Sequence, residues 1–427
     1  MRFLAILEDS FREAVANTVF SIQAGVSLML VLLVASVSFE PEEPKAALQR
    51  LAESLNTDPA EQRLGARRSQ PGRTNYQIVA VEPLDGGHHA PSKSYRLTLA
   101  VRAPSPAEFE QMRQTPGPTQ QFLRDNFGVE GDRRVLEVTD VQAISKDEGR
   151  PSPDALTVYF ELTTRPTRDT LLFWPHQVAA LFGLLDMTTP RPEALGIQVF
   201  VIENYLVNGV AAWGTILMSV VITAFLIPNM LRKGSVDLLL VRPLHRVRLL
   251  LFKYLSGVTY ILANLTVLVT AVWLVLGLRT GIWRPGLLLS IVVMTFFFAV
   301  LYSVSALYGT MTRSPITGIL VTCIAWFGFF IVGTLYGYVD KARNTAEYPE
   351  WVYPVVDTLH AVCPRTRDLD VLMSKVLSRE LLSPQEVRRQ ELDKLPALTW
   401  GESLAISGGF VTLLLGVACW RFYRKDY

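Results

Sequence analysis

The sequence predicts a polytopic α-helical membrane protein with six transmembrane helices and an extracytoplasmic α/β domain inserted between helices one and two. Half of the 427 residues are hydrophobic and only 19% are charged, richer in apolar residues and poorer in charge than soluble domains. The excess is local: residues 216–227, 260–278, 287–307 and 316–332 are almost free of ionisable groups, while residues 39–198 have an ordinary soluble composition. Lysine and arginine also collect in particular loops instead of spreading along the chain.

A helix needs about 20 predominantly apolar residues to cross the hydrocarbon core. Val19–Phe39, Tyr205–Ile227, Phe252–Leu278, Gly286–Met311, Ile316–Tyr338 and Leu404–Phe422 meet that requirement. Gly328 and Gly333 are small residues of the kind that let membrane helices approach. Val34-Ala35-Ser36 could end a cleavable signal, but the acids Glu8, Asp9 and Glu13 ahead of it favour a retained span.

Orientation follows from Lys and Arg in short loops. The loop between spans two and three carries Arg232, Lys233, Arg242, Arg246 and Arg248, with Lys253 flanking it, and the tail carries Arg421, Arg424 and Lys425. Arg2 and Arg12 precede span one, and Glu40, Glu42 and Glu43 follow it. Both termini and the loop are therefore expected in the cytoplasm, with the protein in the plasma (inner) membrane. Arg279 and Arg284, in the turn after span three, point the other way and are outvoted. The plan is then residues 1–39, an N-terminal helix and first span; 40–198, the extracytoplasmic α/β domain; 199–338, spans two to five with a cytoplasmic loop at 228–252; 339–403, an extracytoplasmic loop with the features of a re-entrant hairpin; and 404–427, the sixth span and basic tail.

In the outer domain, Leu48, Leu51 and Leu55 fall at helical spacing within residues 42–55. Tyr76–Leu84, Ser94–Arg102, Arg134–Ile144 and Ala155–Thr164 alternate and are rich in Val, Thr and Tyr, which predicts strands of a mostly antiparallel sheet. Pro106–Gln114 and Pro118–Asn126 read as helices. The cysteines, Cys323, Cys363 and Cys419, all lie elsewhere, so this domain is expected to fold on an apolar core. Beyond it, Trp351, Tyr353 and Pro354 read as interfacial anchors, and residues 384–394 as a charged helix.

Catalytic signatures are missing. The chain has no H-E-x-x-H, no G-x-S-x-G and no G-x-x-x-x-G-K-[ST]. His88-His89 beside two glycines reads as a hairpin tip, and His176 stands alone. Asp357, His360 and Cys363 are three apart and would align on a helix, yet a structural turn is the better reading, so no metal is expected. A net charge of +2 carries no information on nucleic acid, because in a membrane protein the placing of the charges is informative and their sum is not, and no nucleic acid partner is expected. Ion-coupled carriers place ionisable groups inside their spans; here the candidates are Glu203, read as an interfacial carboxylate, and the uncharged Asn208 and Asn264. An energy source outside the chain is expected.

The loop has an ordered layout. Gly234-Ser235 offers a helix start, Asp237 suits the first turn, Val236, Leu239 and Leu240 share a face, and Pro243 stops the helix. Such an element could transmit a push from a docked motor; its arginines alone would only anchor it to anionic headgroups. The run from Gly234 to Leu240, then Arg242-Pro243, Arg246 and Lys253, resembles the cytoplasmic pattern of the ABC type-2 exporter permeases, in particular the branch related to the nitrous-oxide-reductase maturation permease. The stretch with Phe11, Arg12 and Glu13 is similar to that family's amphipathic elbow helix, and the closing "WRFYRKDY" resembles its basic tail. Where an acid commonly precedes the glycine, this chain has Arg232-Lys233.

The resemblance implies a permease subunit of an ATP-binding-cassette transporter, in the export direction by family, with no cofactor of its own and no catalysis. It implies an ABC ATPase subunit that carries ATP and Mg, a second permease copy, identical or different, and the lipid bilayer as partners. Coupling would fall to Gly234, Ser235, Asp237, Leu239, Leu240, Pro243 and Arg246. The outer domain is expected to recognise an extracytoplasmic partner or cargo. The alternative is a membrane-anchored assembly or sensing protein acting through that domain, and a secondary carrier comes third.

Overall fold

Residues 18–56, 74–84, 93–130, 133–144, 156–187, 193–230, 246–343, 348–383, 386–387 and 398–424 are described by the structure, a computed structural model. Helix α1 (Thr18–Ala35) is apolar along its length and gives way to strand β1 (Ser38–Pro41). The first span, expected to reach Phe39, therefore stops at Ala35, because Phe39 pairs with Val178 in a sheet.

Helix α2 (Pro44–Leu55) buries Ala47, Leu48 and Ala52. The chain continues through β2 (Asn75–Pro83), β3 (Tyr95–Arg102), α3 (Pro106–Gln114), α4 (Gly117–Asn126), the short hairpin β4 (Val129–Glu130) and β5 (Arg133–Arg134), then β6 (Leu136–Ile144) and β7 (Thr157–Pro166). β2, β3, β7 and β6 form an antiparallel sheet in that order. The predicted alternation is what fills its core: Tyr95, Leu97, Leu99 and Val101 of β3 point inward with Phe160 and Leu162 of β7. Leu123 and Phe127 close that core from α4 and its cap. Edge strand β2 is covered by α2, whose Gln49 Oε1 accepts from Ile78 N at 2.8 Å, while Asn56 Oδ1 accepts from Tyr76 N at 2.8 Å. Paired edges of this kind give no template for aggregation.

A second sheet, which the sequence did not signal, follows α5 (Thr170–Phe173). β8 (Pro175–Ala180) pairs antiparallel with β1, with β9 (Leu185–Met187) and with β10 (Glu193–Ala194). β1 follows α1 and β10 leads into the helix that starts at Leu195, so this sheet ties the two together. Trp174 fastens it to the larger sheet: its ring stacks on Tyr95 at 6.1 Å and its Nε1 donates to Glu42 O at 3.1 Å.

Residues 195–230 form one interrupted rod: α6 (Leu195–Val201), a π-helix (Ile202–Ala211), α7 (Ala212–Thr223) and α8 (Leu226–Met230). α9 (Arg246–Thr280), α10 (Gly286–Thr312) and α11 (Pro315–Ala342) follow. α10 ends on Arg313 in the left-handed region, and Ser314 then caps α11, its Oγ accepting from Thr317 N, with Pro315 in the first turn. A hairpin of α12 (Val352–Val362) and α13 (Thr366–Leu381) precedes α14 (Trp400–Arg424). The charged helix expected over 384–394 falls mostly outside the described residues.

Among the described residues, five helices are long and apolar enough to cross a membrane, Leu195–Met230, Val247–Thr280, Gly286–Thr312, Pro315–Ala342 and Trp400–Arg424, and Phe20–Ala35 is a shorter apolar helix. The chain is a polytopic, multi-pass membrane protein. α10 is the central column, burying Phe297, Phe298, Leu301 and Tyr302 among its neighbours, while α11 and α14 leave most of their apolar surface uncovered.

Candidate functional site

Of the residues singled out for coupling, Gly234, Ser235, Asp237, Leu239, Leu240 and Pro243 lie in 231–245, outside the described residues, as do Phe11, Arg12 and Glu13. Arg246 is described as the first residue of α9. The helix ends that hold the loop are well defined. α7 gives way to a turn at Ala224 and Phe225 before α8. Pro228 is the physical reason: it has no N–H and its ring crowds the carbonyl four residues back. Leu226, Ile227 and Met230 of α8 are buried, as are Leu249, Leu250 and Lys253 in the first turns of α9.

Above this junction, aromatic packing locks three helices. Tyr254 stacks on Tyr302 with centroids 5.1 Å apart and 6° between planes, and its hydroxyl donates to Ala299 O at 2.7 Å. Tyr302 in turn donates to Thr223 O at 3.4 Å. The close approach requires Gly257, where a Cβ would lie 2.6 Å from Tyr302 Cε1. Farther along the helices, a buried polar triad joins α1, α7 and α9. Tyr260 OH donates to Gln23 Oε1 at 2.7 Å, and Gln23 Nε2 donates to Ser219 Oγ at 2.8 Å. Sequence reasoning passed over Gln23, although it is the one amide side chain in the run from Thr18 to Ala35. A displacement at either end of residues 231–245 would move α8 and α9 as packed units, and the triad would pass it to α1.

Residues 215–427, which include that loop and both of its flanking helices, match the family described as ABC-2 family transporter protein. The chain belongs to that family. It is a membrane permease of an ABC transporter, a transport component of a class that typically has no ATP site of its own and that implies an ABC ATPase partner. No curated protein matches the chain. The match begins within α7, so the two sheets lie outside it.

At the permease's other end the sheets and the α12–α13 hairpin sit on the helix ends. Arg279 donates to Ala35 O at 2.6 Å, and Arg284 reaches Asp169 Oδ1 at 3.4 Å. The two arginines that ran against the charge rule are thus engaged by the chain around the inserted domain. Arg133 donates to Arg379 O at 2.9 Å, so the domain also touches α13. Glu203 lies in the π-helix and is 4% exposed. At about 1.5 Å per residue the rod from Leu195 to Met230 is about 50 Å long, against a hydrocarbon core of about 30 Å, so its first turns can stand beyond the core. Glu203, read as an interfacial carboxylate, is enclosed by protein at this level. The Glu380 carboxylate interacts with it and accepts from Gly286 N at 3.0 Å, and the neighbouring Asn204 Oδ1 accepts from Ser374 Oγ at 2.7 Å.

The three residues weighed for a metal are separated by other partners. Asp357 pairs with Arg343 at 2.8 Å, and His360 Nε2 lies 3.1 and 3.0 Å from the two oxygens of Asp368 while its ring stacks on Tyr336 at 3.7 Å. Cys363 caps α12. No group of three His, Cys, Asp or Glu side chains suited to a metal occurs among the described residues. On α13, burial pushes the Asp370 carboxyl up, and Arg367, 2.6 Å away, draws it part of the way back.

Proposed function

We propose that this permease is the membrane subunit of an exporter, in the branch related to the nitrous-oxide-reductase maturation permease. Two permease subunits, identical or different, work with two copies of a separate ATPase that carries the ATP and Mg. The observation that carries the reading is the family match running unbroken through residues 228–252. The ATPase docks on the element from Gly234 to Arg248, with Leu239 and Leu240 as its apolar face, Asp237 in its first turn, Pro243 as its stop and Arg246 at its junction with α9. Closure of the ATPases presses on this element and tilts spans one, two and five. The Tyr254–Tyr302 stack and the Gln23 triad support this, because a rigid helix end passes on displacement that a loose one would absorb. Helix α1 serves as the first span and completes six, both termini face the cytoplasm of a cell with this protein in its inner membrane, and the domain of residues 40–198 recognises cargo or a partner outside.

Affinity purification of the tagged full chain from native membranes tests the reading. A co-purifying subunit with an ATP site is expected, and Asp237→Ala or Arg246→Ala should lower ATP-driven transport several-fold without loss of the chain from the membrane. If no ATPase accompanies the chain and both variants transport like the wild type, the reading fails.

A further inference from the structure

The Gln23–Ser219–Tyr260 triad is satisfied, but the layer beside it is not. One helical turn on from Gln23 along α1 stands Ser27; one turn back from Ser219 along α7 stands Thr215; one turn on from Tyr260 along α9 stands Asn264. Residues four apart share a helix face, and α1 and α9 run antiparallel to α7. The three positions therefore lie on the same side of the triad, facing the seam that the triad already joins, about midway along their helices. Each carries a buried polar atom without a hydrogen-bond partner: Ser27 Oγ, Thr215 Oγ1 and Asn264 Oδ1. Two turns farther along the rod, Asn208 is 1% exposed, and both its Oδ1 and Nδ2 are unpartnered.

Orphaned polar groups are rare in proteins and most costly where lipid leaves no water to satisfy them. Serine and threonine in a helix ordinarily bond back to a carbonyl one turn earlier, as Thr223 does to Ser219 O at 2.7 Å. Ser27 and Thr215 do not. The stretches 18–35, 206–227 and 254–278 contain no Asp, Glu, Lys or Arg, so a charged ligand would find no counter-ion at this level.

We propose that spans one, two and three together hold a neutral guest that hydrogen-bonds through a hydroxyl group, between Ser27, Thr215 and Asn264, with Asn208 beside its approach. The guest is either water or the hydroxyl of an uncharged ligand. The proposal does not depend on the transport direction or on the ATPase.

The test is thermal unfolding of the full chain in lipid nanodiscs, comparing wild type with Thr215→Val and Asn264→Leu. Thr295→Val serves as the control, because that buried hydroxyl bonds only to Ile291 O of its own helix. With a guest in place, Tm is expected to fall by roughly 2–4 °C in each test variant, since each leaves the buried guest short of a partner, and to stay near wild type in the control, where the carbonyl that loses the hydroxyl still accepts from a backbone N–H of its own helix. An empty site predicts the reverse, an unchanged or raised Tm once an unpaired polar atom is removed, and that result overturns the proposal. 1-Octanol against n-octane separates the two sources. Stabilisation by the alcohol alone, lost in Thr215→Val, identifies a ligand hydroxyl; equal response to both, with the loss of Tm retained, identifies water.

Discussion

At Gly257 the Tyr302 ring of α10 lies directly against α9, and the reason is one hydrogen in place of a methyl group. Gly257→Ala would force the Tyr302 ring off Tyr254. Overpacking of this kind costs about 1–3 kcal/mol, so a clear drop in Tm is expected, and an unchanged Tm would mean that the ring has room to move. His176 is the second informative residue. Burial in β8 holds its imidazole below the ordinary value, opposed by the hydrogen bond from Nδ1 to Trp174 O at 2.8 Å. It stays neutral in the fold, whereas an unfolded imidazole takes a proton below about pH 6.5. The unfolded state therefore binds more protons as pH falls, and stability declines through that value until the folded imidazole also protonates. Unfolding compared at about pH 7.5 and about pH 5.5 should show a smaller acid loss in His176→Gln than in the wild type; equal losses would assign the effect to other groups.

Among the elements, strands of the larger sheet were legible because each alternates over eight or more residues and one face is buried, as in β3 from Tyr95 to Arg102. The second sheet was not. Its strands are short, and its pairing joins Ser38 to Ala179 across most of the domain, a contact that no local pattern announces. The π-helix is equally silent, because a widened turn within an apolar run leaves the same residue types in place. Trp174 holds the two sheets together, and Trp174→Ala should cost about 3–5 kcal/mol. Hydrogen exchange locates the damage: amides of β1 and β8 should exchange faster while those of α10 do not. A uniform change across both would show that the sheets and the bundle unfold as one unit.

Across the whole molecule, the sheets and the α12–α13 hairpin gather at one end of the helices, and the end of α8 and the start of α9 lie at the other. Ile316, Leu320, Ile324 and Phe327 make an exposed apolar stripe along α11, a surface suited to lipid. The expected sidedness can be read with fusions. A fluorescent protein after Tyr427 should fluoresce inside the cell, an alkaline phosphatase inserted near residue 62 should be active, and one inserted near residue 240 should not. The opposite pattern would invert the orientation drawn from Arg232, Arg242 and Arg248. The residues from Gly234 to Pro243 proposed for coupling were legible as a pattern only, since glycine, leucine spacing and proline are local signals.

The sequence by itself determined the membrane class, the main sheet and the polar residues Asn208 and Asn264, because hydropathy, strand alternation and residue type are properties of short windows. It also carried the family, through the loop that the match over residues 215–427 spans. Only the tertiary structure decided that Arg279 and Arg284 are taken up by groups around the inserted domain, that Glu203 is enclosed by α13, and that Gln23, Ser219 and Tyr260 meet. Those outcomes depend on which helix faces turn toward one another, and helix facing is set by the packing of residues far apart in the chain.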